Sequence, residues 1–392
     1  MMGRLRRINR VANRHAGKVL LTGLLGVAWL NWQLWGRDRA RLAELAAPEP
    51  LPPLAAWPRL PKASLLVAAW NEAAYVERHI QSVLALRYPN KELVLCAGGD
   101  DGTYRLAERW SGPGVRVIEQ RPGEGKQRAL RRCLELADGE IVFLTDADCL
   151  PDDESFERTL APLLAGEAEA ATGGSRPLPE QLGPGNERIL VTYRSAVDAY
   201  VAGHAPAEST GLLGRNAAMT RGALERAGAL RAEVPSGTDY HLAKSLLRVG
   251  VRIRQVRDSE MPTHYAEGLR AYARQQRRWL RNVARLGRQF GAYPEVQQSL
   301  RTSFIGLGML GSVAGWPVAP WLAAPWLILV AHGAAGKLRY LAFAAALRGR
   351  RDGHVPALLG YAPWAVTLTL VEFVAWSAPF LDYVRSRKKV TW

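Results

Sequence analysis

Apolar and polar positions follow two different patterns along the chain. Between residues 63 and 148 short apolar runs alternate with amphipathic stretches. "SLLVAAW", "ELVLCAGG", "VRVIEQ" and "EIVFLTDAD" read as strands, and "NEAAYVERHIQSVLAL", "TYRLAERW" and "KQRALRRCLELA" as helices. The first of these helices puts Val76, Ile80, Val83 and Leu84 on one face, with Asn71 placed as its N-cap. Near-continuous apolar strands alternating with helices predict an α/β fold whose parallel sheet is covered on both faces. Ligands of such sheets bind at the carboxyl ends of the strands. No internal repeat is present.

Elsewhere the pattern is long and apolar. Val19–Trp35 is short for a membrane span and carries Asn31 and Gln33; with no small-residue cleavage site after it, it reads as an anchor. Phe304–Gly336 is too long for one straight span and is interrupted by Pro317 and Pro320, which predicts two short helices or a helical hairpin. Val355–Phe380, containing Pro363, is long enough for one span, and tryptophans mark several ends. "APEPLPPLAAWPRLPK" is a semi-rigid linker. The expected organisation is a basic N-terminus and anchor (1–43), a proline-rich linker (44–62), an α/β domain (63–290) and interfacial, transmembrane or re-entrant helices (291–392).

Charge narrows the partners. The chain has 52 Lys+Arg against 36 Asp+Glu, a net +16, which suits anionic membrane lipids, nucleic acid or a phosphorylated substrate. No basic–aromatic nucleic-acid motif accompanies it, so nucleic acid is not expected as a partner. Basic residues flank both sides of every apolar run, which pulls both flanks to the cytoplasm and favours re-entrant or monotopic segments. Three cysteines without framework spacing fit a reducing compartment, and no Cys/His cluster has zinc-ligand spacing.

Chemistry concentrates at three places. Asp146 and Asp148 leave the strand "IVFLT" one residue apart, a pattern that can hold a hard cation and leave positions open for phosphate oxygens. Alone, it fits a solvated strand-to-loop turn as well. Asp239, in "SGTDYHLAKSLLRVG", precedes an amphipathic helix, where capping by Ser236, Thr238 or Asp239 is the structural alternative. "QQRRW", Gln275 to Trp279, sits in an arginine cluster shortly before the second apolar run.

Taken in order, "WNE", "GEGKQRAL", "DAD", "GRN", "GTD" and "QQRRW" resemble the D, D-x-D, T/E-D and Q-x-x-R-W series of the membrane-bound family 2 glycosyltransferases, over roughly residues 63–281. That family includes cellulose, chitin and hyaluronan synthases and the ceramide and diacylglycerol glucosyltransferases. The resemblance implies a GT-A fold, a nucleotide-sugar donor that is usually UDP-linked, Mg²⁺ or Mn²⁺ as cofactor, and an enzyme of the bacterial cytoplasmic membrane with its catalytic domain facing the cytoplasm. It implies Asp148 as ligand of the metal on the diphosphate, with Asp146 nearer the donor ribose or sugar. Lys126, Asn71 and Glu72 would border the nucleotide, and Asp239 would be the general base. Gln275 and Arg278 would face the pyrophosphate, and Trp279 would line the acceptor site. One departure stands out. "CAGGDDGT" has Cys96-Ala97 where the family carries its first aspartate, and Asp100 and Asp101 follow three to four residues later. Base recognition falls to Asp100 only if the loop bends back, which weakens the case for uracil.

General chemistry supports the same roles. Cleaving a sugar–diphosphate bond leaves negative charge that a divalent cation and Arg278 are suited to stabilise, and an acceptor-side carboxylate takes the hydroxyl proton. A single displacement inverts the anomeric centre. Few, proline-broken apolar runs favour a membrane lipid acceptor and hence a glycolipid product. The alternatives are a processive polysaccharide synthase and, outside enzymes, a basic membrane-surface binding protein.

Overall fold

The computed structural model of the protein describes residues 2–45, 50–182, 186–352 and 358–385. These form two compact units, one holding residues 50–182 and 201–265, the other 2–45, 186–200, 266–352 and 358–385. In chain order the elements are α1 (Met2–Glu44), β1 (Ala63–Trp70), α2 (Val76–Ala85), β2 (Lys91–Gly98), α3 (Thr103–Glu108), β3 (Val115–Glu119), α4 (Gly125–Leu136), β4 (Ile141–Leu144), α5 (Asp153–Leu164), β5 (Ala170–Pro177), α6 (Asn186–His204), β6 (Glu208–Ser209), β7 (Ala217–Thr220), α7 (Arg221–Arg226), α8 (Thr238–Arg248), β8 (Ile253–Thr263), α9 (Leu269–Gln289), α10 (Tyr293–Gly315), α11 (Ala323–Asp352) and α12 (Ala362–Arg385).

The first unit is built on one eight-stranded sheet of order β3-β2-β1-β4-β7-β5-β8-β6. β1 pairs in parallel with β2 and β4, β2 with β3, and β5 with β8; β7 lies antiparallel between β4 and β5. Both faces are buried. Leu65, Val67, Leu93, Leu95 and Phe143 pack on one side with α2 and α5, and Leu66, Val94, Val142 and Leu144 on the other with α4, α7 and α8. This explains why the strands read as continuous apolar runs rather than alternating ones. β1 has one neighbour, β2, that follows it directly by way of α2, and another, β4, reached only after β3. The chain therefore reverses direction across the sheet between β1 and β4, and a crevice opens beyond their carboxyl ends.

Two local readings need correction. Asn71 does not cap α2, whose N-cap is Tyr75. Residues 72–74 are held outside the helix by side chains of the next loop: Thr103 Oγ1 accepts from Glu72 N–H at 2.7 Å and Asp101 Oδ2 from Ala73 N–H at 2.9 Å. Leu84 is exposed, and His79 takes the remaining inward position of α2 beside Val76, Ile80 and Val83.

His79 carries a testable consequence. It is fully buried, and its Nδ1 donates to the Cys149 carbonyl at 2.7 Å while Nε2 has no partner. Protonation would place an N–H on that unpartnered nitrogen, and burial lowers the imidazole from 6.5 to about 4. The unfolded chain therefore binds one more proton between those values. The stabilisation is complete above pH 6.5 and is lost as pH falls toward 4, on the order of 3 kcal/mol. Denaturant midpoints of the wild type should drop more steeply between pH 7 and 5 than those of His79→Asn; parallel slopes would remove His79 from the account.

The second unit is helical. The apolar stretch 19–35 lies inside the 43-residue α1. The second apolar run divides into α10 and α11 around Trp316–Ala319 and a short 3₁₀ turn at Pro320–Leu322, so Pro317 and Pro320 do break it, but the two helices are long. In the third run Pro363 falls in the first turn of α12, where its missing N–H costs nothing, and residues 355–357 lie outside the described ones. Among the described residues one helical stretch, Pro320–Leu347, is long and apolar enough to cross a membrane. Buried ion pairs tie these helices together. Lys337 of α11 bonds Glu372 of α12 at 2.6 Å, and Tyr272 of α9 and Tyr193 of α6 donate to the same carboxylate. Arg339 of α11 bonds Asp38 of α1 at 2.5 Å and Tyr200 of α6 at 2.8 Å.

Candidate active site

The crevice beyond β1 and β4 gathers charged groups from five separate stretches. Asp146 and Asp148 follow the end of β4. Their loop is pinned to the end of β8: His264 N–H donates to the Asp148 carbonyl at 2.9 Å, Leu150 N–H to the Pro262 carbonyl at 2.8 Å, and the Cys149 thiol meets Thr263 Oγ1 at 3.1 Å. Lys126, at the start of α4, hydrogen-bonds Asp146 Oδ1. Burial opposes the lysine's charge, but Asp146, Asp239 and Asp148 together hold it above the ordinary lysine range. Asp146 is held low, because Lys126 and Arg215 outweigh its burial. Asp148 is pushed up by burial and by the charge of Asp146. Glu72, just past β1, is raised to about 7 by burial and by Asp148, Asp146 and Asp101.

Asn71 adopts φ 60°, a left-handed conformation that asparagine tolerates better than most residues. Its Oδ1 accepts from Asp100 N–H at 3.0 Å and sits where a side chain on Gly99 would fall, 2.0 Å from a Cβ built there. The loop after β2 thus does bend back toward β1. The carboxylate that knits the two loops is Asp101, however: it accepts from Thr103 N–H and Oγ1 and from Ala73 N–H. Asp100 is exposed.

Asp239 lies in the first turn of α8. The N-cap of α8 is Gly237, at φ 85° with no side-chain cap, so none of the three capping candidates fills that role. Asp239 Oδ1 accepts from Tyr240 N–H at 2.9 Å, and a Cβ on Gly214 would come within 3.1 Å of the Asp239 Cβ. Gly214 is followed by Arg215, a residue to which the motif order assigned no role. Arg215 leads into β7, which pairs antiparallel with β4, and its guanidinium donates to Thr263 Oγ1 at 3.4 Å, the same hydroxyl that meets the Cys149 thiol next to Asp148. Burial opposes the guanidinium's charge, and Asp148 and Asp146 more than compensate, raising Arg215 further. A lone arginine two residues before a buried strand was the available signal; its meaning depended on the strand's partner.

Glu72, Lys126, Asp146, Asp148 and Asp239 are therefore brought together, with Arg215 added. Gln275, Arg278 and Trp279 lie on α9 in the helical unit, all three partly buried. There the Arg194 guanidinium of α6 sits over the Trp279 ring at 4.9 Å and the Tyr272 ring at 5.5 Å, an orienting contact not visible in the motif. The acidic pair fits a hard divalent cation: two carboxylates share a partly buried loop, and their mutual repulsion, visible in the raised Asp148, is what such an ion relieves. Among the described residues no group of three His, Cys, Asp or Glu side chains forms a closed ligand set.

The sequence family described as glycosyltransferase like family 2 matches residues 61–282, more than half of the chain. Beta-monoglucosyldiacylglycerol synthase of Synechocystis sp. is 32% identical over 140 residues, 32% of this chain and 29% of that protein. Poly-beta-1,6-N-acetyl-D-glucosamine synthase of Staphylococcus epidermidis is 31% identical over 94 residues, 24% of this chain and 23% of that protein. The matched stretches thus span under a third of these relatives' lengths. A mannosyltransferase of Pyrobaculum calidifontis, solved with GDP-Man and Mn²⁺, superposes with a TM-score of 0.54 at 19% identity, covering 95% of this chain and 100% of that one; this likeness concerns the fold. The fold is GT-A-like, and the chain belongs to glycosyltransferase family 2.

Proposed function

We propose that this family 2 glycosyltransferase moves a sugar from a nucleotide-sugar donor, UDP-linked by the family's habit, to a membrane lipid, with inversion at the anomeric carbon. The observation that carries the reading is the convergence of Lys126, Asp146, Asp148 and Asp239 beyond the ends of β1 and β4. Asp148, with Asp146, would hold Mg²⁺ or Mn²⁺ on the donor diphosphate. When bound, the ion neutralises charge on the diphosphate.

The chain's own groups supply the rest. Asp239 takes the proton of the acceptor hydroxyl as its oxygen bonds the anomeric carbon. The bond from that carbon to the diphosphate breaks, and its electron pair leaves with the diphosphate. Lys126 and Arg215 are fixed positive charges beside the acidic pair, and such preorganised charge favours the developing anion. Asn71, Glu72 and Asp100 border the nucleotide in this reading. Gln275 and Arg278 carry over the pyrophosphate role of their motif, and Trp279 the acceptor role. Asn71 Oδ1, accepting from Asp100 N–H, holds together the loops after β1 and β2, where this reading places the nucleotide. Because the first aspartate of the family pattern is displaced, the identity of the base stays part of the test.

The glycolipid in the name of the Synechocystis relative supports a lipid acceptor, and the candidate span among the described residues supports work at a membrane; in this reading that is the bacterial cytoplasmic membrane, with the catalytic side facing the cytoplasm. The second reading, a polysaccharide synthase, is favoured by the name of the Staphylococcus relative. One assay separates them. Purified protein is incubated with membrane lipid extract, Mn²⁺ and a panel of radiolabelled UDP- and GDP-sugars. Label in a single-sugar lipid is expected. Label in a long polymer overturns the glycolipid reading, and no incorporation from any donor overturns both.

A further inference from the structure

Between Arg270 and Arg288 every exposed residue of α9 is an arginine: Arg270, Arg274, Arg277, Arg285 and Arg288. At about 100° per residue these five fall within an arc of about 80°, and they extend over about 27 Å of helix axis. The remaining residues of that stretch are buried or partly buried, Arg281 among them although it falls within the same arc. Tyr272, Asn282, Ala284 and Gly287 are buried, and Gln275, Arg278 and Trp279 are partly buried off the stripe. No aspartate or glutamate occurs from Leu269 to Gln289. α9 packs against α10 and α12, where Ser299 Oγ donates to the Leu280 carbonyl and Tyr272 reaches Glu372. Those two helices and the turn after α10 leave large apolar side chains in the open, among them Phe304, Val313, Trp316, Val318 and Val374.

We propose that the arginine face of α9 is a docking surface for the phosphate headgroups of anionic phospholipid. The arrangement matches a bilayer surface on two counts. Arginine stems can lie along apolar material while their charged heads reach phosphate, and basic groups gain affinity from an anionic leaflet within a Debye length. The exposed apolar side chains of the neighbouring helices supply the hydrocarbon-facing half of such an interface. A nucleic acid is the other polyanion of suitable length, but the stripe offers no exposed aromatic side chain for base stacking. The docking stands independently of which acceptor the enzyme uses.

The test uses the full chain, diluted from a neutral detergent onto preformed vesicles and followed by flotation. One set of vesicles is pure phosphatidylcholine; the other carries about one third phosphatidylglycerol. The phosphatidylcholine arm measures apolar attachment, so the quantity read is the ratio of the two partition coefficients. Wild type should favour the anionic vesicles strongly at about 50 mM salt, with the preference shrinking toward one at about 500 mM as screening sets in. The triple variant Arg270→Gln, Arg274→Gln, Arg285→Gln alters only exposed side chains and should keep its melting temperature. Its ratio should fall by about a hundredfold, at about fivefold per arginine. A wild-type ratio near one, or an unchanged ratio in the variant, overturns the proposal. So does tighter binding to duplex DNA than to the anionic vesicles that the same variant abolishes.

Discussion

Asp239→Asn is expected to fold, to bind the nucleotide diphosphate as the wild type does, and to turn over at least about a hundredfold more slowly. The structural contribution of Asp239 is small. Gly237 already forms the N-cap of α8, and the Asp239 Oδ1 bond from Tyr240 N–H can be accepted equally by an asparagine carbonyl. What asparagine loses is the negative charge in the first helical turn, worth about 0.3–1 kcal/mol, and the capacity to take a proton. The first loss moves the melting temperature by a few degrees. The second removes a general base, whose absence costs about 10²–10⁴ in rate. Measuring kcat, donor binding and melting temperature on one preparation separates the two. A fall in kcat with donor affinity nearly unchanged marks an interaction made in the transition state. A drop of only a few-fold would make Asp239 a helix-terminus residue and send the search for the base elsewhere in the crevice.

Asp148→Asn should abolish transfer, a loss of at least about a thousandfold if the bound cation supplies several kcal/mol of charge stabilisation. Chelation of the wild type should do the same, with Mg²⁺ or Mn²⁺ restoring activity. Stability should move the other way. Burial and the adjacent Asp146 raise the Asp148 carboxyl, so its ionised form is disfavoured in the folded protein without a cation. The sign follows: a raised carboxyl destabilises the fold increasingly as pH rises above the unfolded value. Removing that charge should leave the chelated variant at least as resistant to heat as the chelated wild type at pH 7. An inactive variant that melts lower would point to collapse of the loop. Full wild-type activity in EDTA after dialysis would sink the metal-dependent reading altogether.

Much of the first unit was legible along the chain because its determinants are local. Apolar runs such as "LLVAA" and "ELVLCA" have to be buried on both faces, and burial on both faces means a parallel sheet with helices over it. The two aspartates at the exit of β4 lay at a strand end in the sequence, and they lie there in the fold. Legibility failed where a short run owed its conformation to a distant partner. "AATGGSRP" and "AAMT" have little strand propensity of their own, yet they form β5 and β7 because neighbours on both sides complete their hydrogen bonds. Leu84, expected on the inward face of α2, is exposed, and the buried His79 holds that face instead because it finds a partner for Nδ1 in the distant Cys149 carbonyl.

The sequence by itself determined the class of fold, the order of the motifs and the types of charged group available to the site, since periodicity and residue chemistry are properties of neighbouring positions. Only the tertiary structure decided which charges meet. Arg215 comes beside the two aspartates because β7 runs antiparallel to β4, so the chain entering β7 meets the chain leaving β4. Asp101, rather than Asp100, binds the loops together because Thr103 and Ala73 point their donors at it. Five arginines of α9 stay exposed while Arg278 and Arg281 are partly buried, because α10 and α12 pack against that helix. Each of these outcomes depends on a pairing across many residues of chain, and no local pattern encodes a distance between segments that meet only after folding.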